Sequence, residues 1–444
     1  MTAPDLPGSG AGPGPTAPGP TAPGPTGDAT RRAVAAVWRI ESARITAAVA
    51  RLVRDFGTAE ELAQDALVAA LEQWPATGIP DRPGAWLMTT ARRRAIDLVR
   101  REQRYADRLR ALGHDLETTP GPAGPEQALL DSEGIEDDLL RLVFTACHPV
   151  LSAEARVALT LRVLGGLRTD EIARAFLTGE ATVAQRIVRA KRTLARAAVP
   201  YEVPEGPELA DRLGSVLEVC YLIFNEGYAA TAGEDWMRPA LCEEAMRLGR
   251  VLAGLMPREP EVHGLVALME LQASRTAART GPGGEPVLLP DQDRSRWDRL
   301  LIHHGLAALD RARQLAAVPG PYTLQAAIAA CHARAGTAED TDWVRIAALY
   351  AALAERAPSP VVELNRAVAV GMAFGPAAGL DLVDRLAGEP ALKDYHLLPV
   401  VRGDLLARLG RHPEAAREFE RAAHLTRNTR ERTHLLTRAH TEAG

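Results

Sequence analysis

From Arg31 onward the chain reads as helix after helix, because apolar residues return at steps of three and four. Val34, Val37, Trp38, Ile45, Val49, Leu52 and Phe56 trace one face of a long helix that the spacing ends at Gly57. Thr58 with Glu61 three residues on reads as a capping box opening a second helix, AEELAQDALVAALEQW, which Pro75 should stop. After the turn PATGIPDRPG a third helix is expected from near Ala85 to about Arg104. Aromatic residues are only 4% of the chain while Ala and Arg abound, which favours helices packed through small side chains over strands. The expected fold class is all-α.

Residues 1–30 are Pro, Gly, Ala and Thr, with TAPGP written at 16–20 and again at 21–25. Such a stretch buries too little apolar surface to offset its ordering entropy and reads as a disordered tail. Residues 105–138 read as a flexible linker, with TTPGPAGPE at its middle and nine carboxylates against two arginines. A second helical block spans 139–198. Beyond Pro204, Pro and Gly punctuate the helices about every 15–20 residues, the texture of an α-solenoid.

Residues 167–197 carry the sharpest local signal. LRTDEIARAF reads as a short helix with Thr169 as N-cap and Asp170-Glu171 in its first turn, LTGE as a turn, and ATVAQRIVRAKRTLARA as a second helix. Val183, Ile187, Ala190 and Leu194 fall on one face. Gln185, Arg189, Arg192 and Arg196 fall on the other, flanked by Thr182 and Arg186. A helix so divided suits a helix-turn-helix whose second helix enters a major groove, Gln pairing with adenine, Arg with guanine, and the later arginines meeting phosphates. Over 85–104, Leu87, Ala91, Ala95 and Leu98 form the expected buried stripe, with Thr89, Arg93, Arg100 and Arg104 opposite and Trp86 beside them. An arginine stripe next to an aromatic ring holds melting or single-stranded DNA by phosphate attraction and base stacking. The net charge of −5 is a whole-chain sum and does not exclude local basic faces.

The order of these two segments gives the chain a family resemblance. DFGTAEELAQDALVAALEQW followed by GAWLMTTARRRAIDLVRRE resembles region 2 of the extracytoplasmic-function sigma factors of RNA polymerase. LSAEARVALTLRVLGGLRTDEIARAFLTGEATVAQRIVRAKRTLARA resembles their region 4. The resemblance implies region 2 over 31–104 and region 4 over 139–198, with core RNA polymerase and promoter DNA as partners. Docking on the clamp coiled coil would fall to Glu61, Gln64 and Asp65, and region 4 would bind the β flap. Reading of the −35 element would fall to Thr182, Gln185, Arg186 and Arg189, with Arg192 and Arg196 on phosphates. The −10 region would fall to Trp86, Thr89, Arg93 and Arg100, although Arg93 stands where many members have Asn. The acidic linker would thread the RNA-exit path of the polymerase.

Residues 395–426 read as a tetratricopeptide-type helix pair, with Leu409-Gly410 closing the first helix and Ala415, Phe419 and Ala422 at small-large-small spacing. PYTLQAAIAACHARAG with DWVRIAALYAALAERAPSP, and VVELNRAVAVGM with PAAGLDLVDRLAG, read as degenerate pairs. No repeat is legible over 201–300. As a whole, 201–444 resembles the C-terminal extension of one sigma subgroup, NEGY and DQDRSRWD being its distinctive segments. Such repeats imply a protein or ligand partner.

Catalysis is not expected. Glu226, Asp291, His303 and His304 are the only polar groups to weigh, and no phosphate loop, HExxH or nucleophile elbow accompanies them. Cys147, Cys220, Cys242 and Cys331 lie too far apart for a disulfide framework, and neither Cys147-His148 nor Cys331-His332 belongs to a run with zinc spacing. No cofactor or metal is expected. Without a membrane-length apolar run or a signal pattern, the reading is a cytoplasmic protein with no membrane partner. The leading function is a sigma factor for −35/−10 promoters modulated by its repeat domain. The competing one is a stand-alone helix-turn-helix regulator with a sensing domain, which would have no use for the 58–104 segment.

Overall fold

The computed structural model describes residues 27–112, 135–176, 178–229, 237–281 and 287–443, and among these the elements are helical. The proposed tail up to residue 26 and the middle of the proposed linker, 113–134, lie outside the described residues.

Three helices open the chain: α1 (Gly27–Val53), α2 (Phe56–Thr77) and α3 (Pro83–Leu112). Their common core is largely alanine, with Ala59, Ala63, Ala66, Ala70, Ala91 and Ala95 set against Ile45, Val49, Leu87 and Trp74. Small side chains let the helix axes come close. The boundaries differ from the spacing-based ones for local reasons. Arg54 takes a left-handed φ of 53° and ends α1 at Val53, short of Gly57. Asp55, not Thr58, is the N-cap of α2, its carboxylate accepting from Thr58 N at 2.7 Å. Phe56 is buried as the first helical residue and fixes that start. Pro75 does not stop α2, because so near the C-terminus it removes one backbone bond only, and Gly78 N still donates to Trp74 O at 3.0 Å. Helix α3 runs on to Leu112 through good helix formers, so the proposed linker is helical over its first eight residues.

The second group comprises α4 (Ile135–Ala146), α5 (Ala153–Val163), α6 (Thr169–Ala175) and α7 (Glu180–Arg196). It does not have a core of its own. Phe144, Leu159, Leu161 and Ile172 belong to one apolar cluster with Ile223, Phe224 and Leu265, from α8 (Pro207–Tyr228) and α10 (Pro260–Ala273), and with Leu248 of α9 (Pro239–Leu255). Within that cluster Gly227 lets α8 and α9 approach closely, since a Cβ there would lie 2.7 Å from the Cys242 backbone nitrogen.

From α11 (Arg299–Leu315) the helices stack: α12 (Pro321–Arg334), α13 (Trp343–Arg356), α14 (Pro360–Phe374), α15 (Pro376–Leu386), α16 (Leu397–Arg408), α17 (His412–Leu425) and α18 (Thr429–Ala443). From α12 onward each packs on the next. Prolines 207, 239, 260, 321, 360 and 376 each sit at a first helical position, where the missing N–H costs nothing. Between α16 and α17, Gly403 faces Phe419, whose ring would lie 2.7 Å from an added Cβ. Ala415, Phe419 and Ala422 are fully buried at that contact.

Candidate nucleic-acid interface

Helix α7 divides as its periodicity requires. Val183, Ile187, Ala190 and Leu194 are buried against α5 and α6. Thr182, Gln185, Arg189, Arg192 and Arg196 are exposed, and Arg186 is half-buried. Helix α6 is capped from Arg168 rather than Thr169, because the Glu171 carboxylate reaches back to accept from Arg168 N at 2.8 Å.

Helix α3 buries Leu87, Ala91 and Ala95, but Ile96 completes that face and Leu98 is only half-buried. Thr89, Arg93 and Arg100 are exposed. The Thr89 hydroxyl donates back to Ala85 O at 2.8 Å. Trp86 is half-buried, its ring in a T-shaped contact with the buried Trp74 at 5.5 Å between centroids. On α2, Glu61 is exposed, Asp65 pairs with Arg94 of α3 at 3.2 Å, and Gln64 donates to Glu60 at 2.6 Å.

Glu60 was not among the expected site residues, and it organises the contact between the two groups. Its carboxylate is 5% exposed and receives Arg162 of α5 at 3.2 Å and Lys191 of α7 at 2.5 Å. Lys191 therefore leaves the basic face of its helix and turns toward α2. Asp138, 1% exposed, is a second tie, pairing with Arg51 of α1 at 3.2 Å and with Arg141 at 2.8 Å. Burial pushes its carboxyl above the usual aspartate range, against the pull of both arginines. The Tyr201 hydroxyl lies 3.2 Å from Ala47 O and 3.0 Å from Asp138 O, bridging both groups. Arg39 reaches Glu171 at 3.4 Å. One signal was available in the sequence: Glu60 falls between Ala59 and Ala63 on the apolar face of α2, where a carboxylate needs partners.

The extension in turn finishes the helix ends of the second group. Arg212 donates to Phe144 O at 3.0 Å, Ser215 to Cys147 O at 2.5 Å, and Arg247 to Leu164 O at 2.7 Å. These carbonyls belong to the C-terminal turns of α4 and α5, which have no intrahelical donors. Arg156 of α5 pairs with Glu218 of α8 at 2.9 Å.

Of the polar groups weighed for catalysis, Glu226 pairs with Arg238, and His303 and His304 are both exposed. Among the described residues no group of three His, Cys, Asp or Glu side chains is placed to hold a metal ion. No helix there is long and apolar enough to cross a membrane.

With the two basic helices and their supports placed, comparison with known proteins identifies them. Residues 39–105 match the family Sigma-70 region 2, and residues 141–194 match Sigma-70, region 4. An ECF RNA polymerase sigma factor SigK of Mycobacterium ulcerans (strain Agy99) is 33% identical over 158 residues, 34% of this chain and 78% of that protein. The chain belongs to the ECF sigma factors.

The SigK of Mycobacterium bovis (strain BCG / Pasteur 1173P2) matches at 32% over 157 residues, 34% of this chain and 78% of its own. An uncharacterized protein of Rhizobium meliloti (strain 1021) is 46% identical over 389 residues, covering 87% of this sigma factor and 90% of the relative, so that the likeness includes the extension. Residues 212–313 match a family of unknown function, DUF6596. As a sigma factor the protein directs transcription initiation, with core RNA polymerase and promoter DNA as its partners.

Proposed function

We propose that this sigma factor reads the −35 element with Thr182, Gln185, Arg186 and Arg189, steadied on phosphates by Arg192 and Arg196. Trp86, Thr89, Arg93 and Arg100 engage the −10 region, and Glu61, Gln64 and Asp65 meet the polymerase clamp. The arrangement described above is its resting, closed form, in which the helical extension holds region 4 against region 2.

One observation carries the reading of a closed form: Lys191, on the helix that would read −35, sits 2.5 Å from Glu60, on the helix that packs against the −10 reader. Elements named for positions 25 base pairs apart lie roughly 85 Å from one another along B-form DNA, at about 3.4 Å per base pair. Two readers in direct contact cannot occupy both. The 22 residues 113–134 between α3 and α4 have a contour length of roughly 75 Å, of the same order as that separation. Gln64, one of the expected polymerase contacts, is also held in the Glu60 cluster and would be released by the same event.

Glu60→Gln and Arg162→Gln weaken the cluster from opposite sides. Removing one partner of a buried charge cluster costs several kcal/mol, so each should move the closed–open balance by at least about tenfold. Run-off transcription with core polymerase at limiting sigma factor should rise in both variants. Fluorescence transfer between dyes at Glu72→Cys and Arg196→Cys should fall, the four native cysteines being buried and shielded from labelling. Unchanged transfer and unchanged transcription in both variants would sink the closed-form reading.

A further inference from the structure

A cavity of about 540 Å³ opens within the C-terminal stack, between the 3₁₀ turn Leu289–Asp291 and helices α12, α13, α14, α16 and α18. Its walls are mainly apolar, built by Leu288, Pro290, Trp343, Val368, Val401 and Leu405. A few polar groups converge on it, and they are not equivalent. Arg294 is pinned as wall, donating to His332 O and Ala335 O at 2.8 Å each and to Thr341 Oγ1 at 3.1 Å. Arg438 is paired with Asp404 and lies over the Phe419 ring, 4.1 Å from its centroid.

Arg408 differs from both. It is exposed at the rim, and its side-chain contact is the Met372 thioether at 2.9 Å, a weak acceptor. Among the described residues no carboxylate pairs with it. Three guanidiniums against the single Asp404 carboxylate leave the lining net positive. His332 adds an independent observation. It is 8% exposed, its ring stands edge-on to Trp343 at 5.2 Å, and its Nδ1 finds no hydrogen-bond partner among the described residues. A buried polar atom left unmatched beside a cavity marks a bond that a guest can complete. Concave, largely apolar spaces of this size with a few convergent polar groups are where proteins hold small organic molecules.

We infer that this cavity binds a small amphipathic organic anion, with its apolar body against Trp343 and Leu405 and its charged group at Arg408. The walls come from helices well separated along the chain, so such a guest would tie the α12–α13 end of the stack to its α16–α18 end. The inference goes beyond the closed-form reading and does not depend on it.

Two probes that differ in one group test it on the full chain: 8-anilinonaphthalene-1-sulfonate, and N-phenyl-1-naphthylamine, the same ring system without the sulfonate. Fluorescence titration should give one saturable site for the sulfonate probe, with affinity at least tenfold above that of the neutral one. Arg408→Gln should remove that advantage while leaving the neutral probe within twofold. Val368→Trp, which fills the cavity, should abolish both. Arg408 is exposed, so its replacement leaves folding intact and decides the matter even where the tryptophan variant misfolds. Non-saturating binding, equal affinity for the two probes, or a sulfonate affinity untouched by Arg408→Gln would each overturn the assignment.

Discussion

At the scale of single residues, burial moves the titration of several ionisable groups away from where it lies in water. Burial, with Arg275 and Arg294 nearby, pushes the His332 imidazole down to about 3. An unfolded histidine titrates near 6.5, so the unfolded chain takes up a proton first as the solution is acidified. His332 therefore contributes stability above pH 6.5 that is lost progressively as the pH falls toward 3. Between pH 7 and pH 5 the loss amounts to about 2 kcal/mol, at 1.36 kcal/mol per pH unit below the unfolded value. In His332→Gln this component is gone, and denaturant unfolding at the two pH values should show a correspondingly smaller drop than in the parent chain. Parallel drops would mean the imidazole is solvated. Cys147 belongs to the same class, its thiol pushed up to about 11 by burial and set 3.3 Å from Thr160 Oγ1, which makes it a packing group.

At the scale of elements, α7 is the most informative piece, because it carries three surfaces. One packs on α5 and α6, one presents its arginines to solvent, and Lys191 lies on the seam between them, aimed at Glu60. The first two were legible in the sequence, since helical period alone separates Val183, Ile187, Ala190 and Leu194 from Gln185, Arg189, Arg192 and Arg196. The third was not, because periodicity says which side of a helix is polar and nothing about which distant helix supplies the partner. The same limit hid Asp138, which reads as one more acid in a charged spacer yet sits inside α4 at 1% exposure. Residue type alone does not fix a helix end: at Thr58 the better acceptor, Asp55 three residues earlier, holds the turn. The outward face of α7 makes its own prediction. Arg192→Ala should weaken promoter binding about equally across sequences and lower the slope of log affinity against log salt by about one. A binding titration at several salt concentrations reads this directly. A change in sequence preference at unchanged slope would move Arg192 from phosphate to base.

At the scale of the whole molecule, the division into a DNA-binding half and an appended helical half does not follow the apolar core. Phe144, Leu159 and Ile172 on one side and Ile223, Phe224 and Leu265 on the other form a single cluster, and Arg212, Ser215 and Arg247 complete the ends of α4 and α5. Large apolar side chains contribute about 2 kcal/mol each when buried, so region 4 cut from α8–α10 loses more than a small domain has to spare. A fragment ending at Pro200 should therefore show no cooperative melting of its second half and should associate during gel filtration. Clean, monomeric behaviour would contradict the shared core. Loss of transcription in such a fragment reports a broken fold, which is why single substitutions at Glu60 and Arg162 are the better probes of control. The shared core also fixes what travels with what. Region 4 cannot swing without carrying α8–α10 as ballast, so a force applied to those appended helices is passed straight to the arginine face of α7.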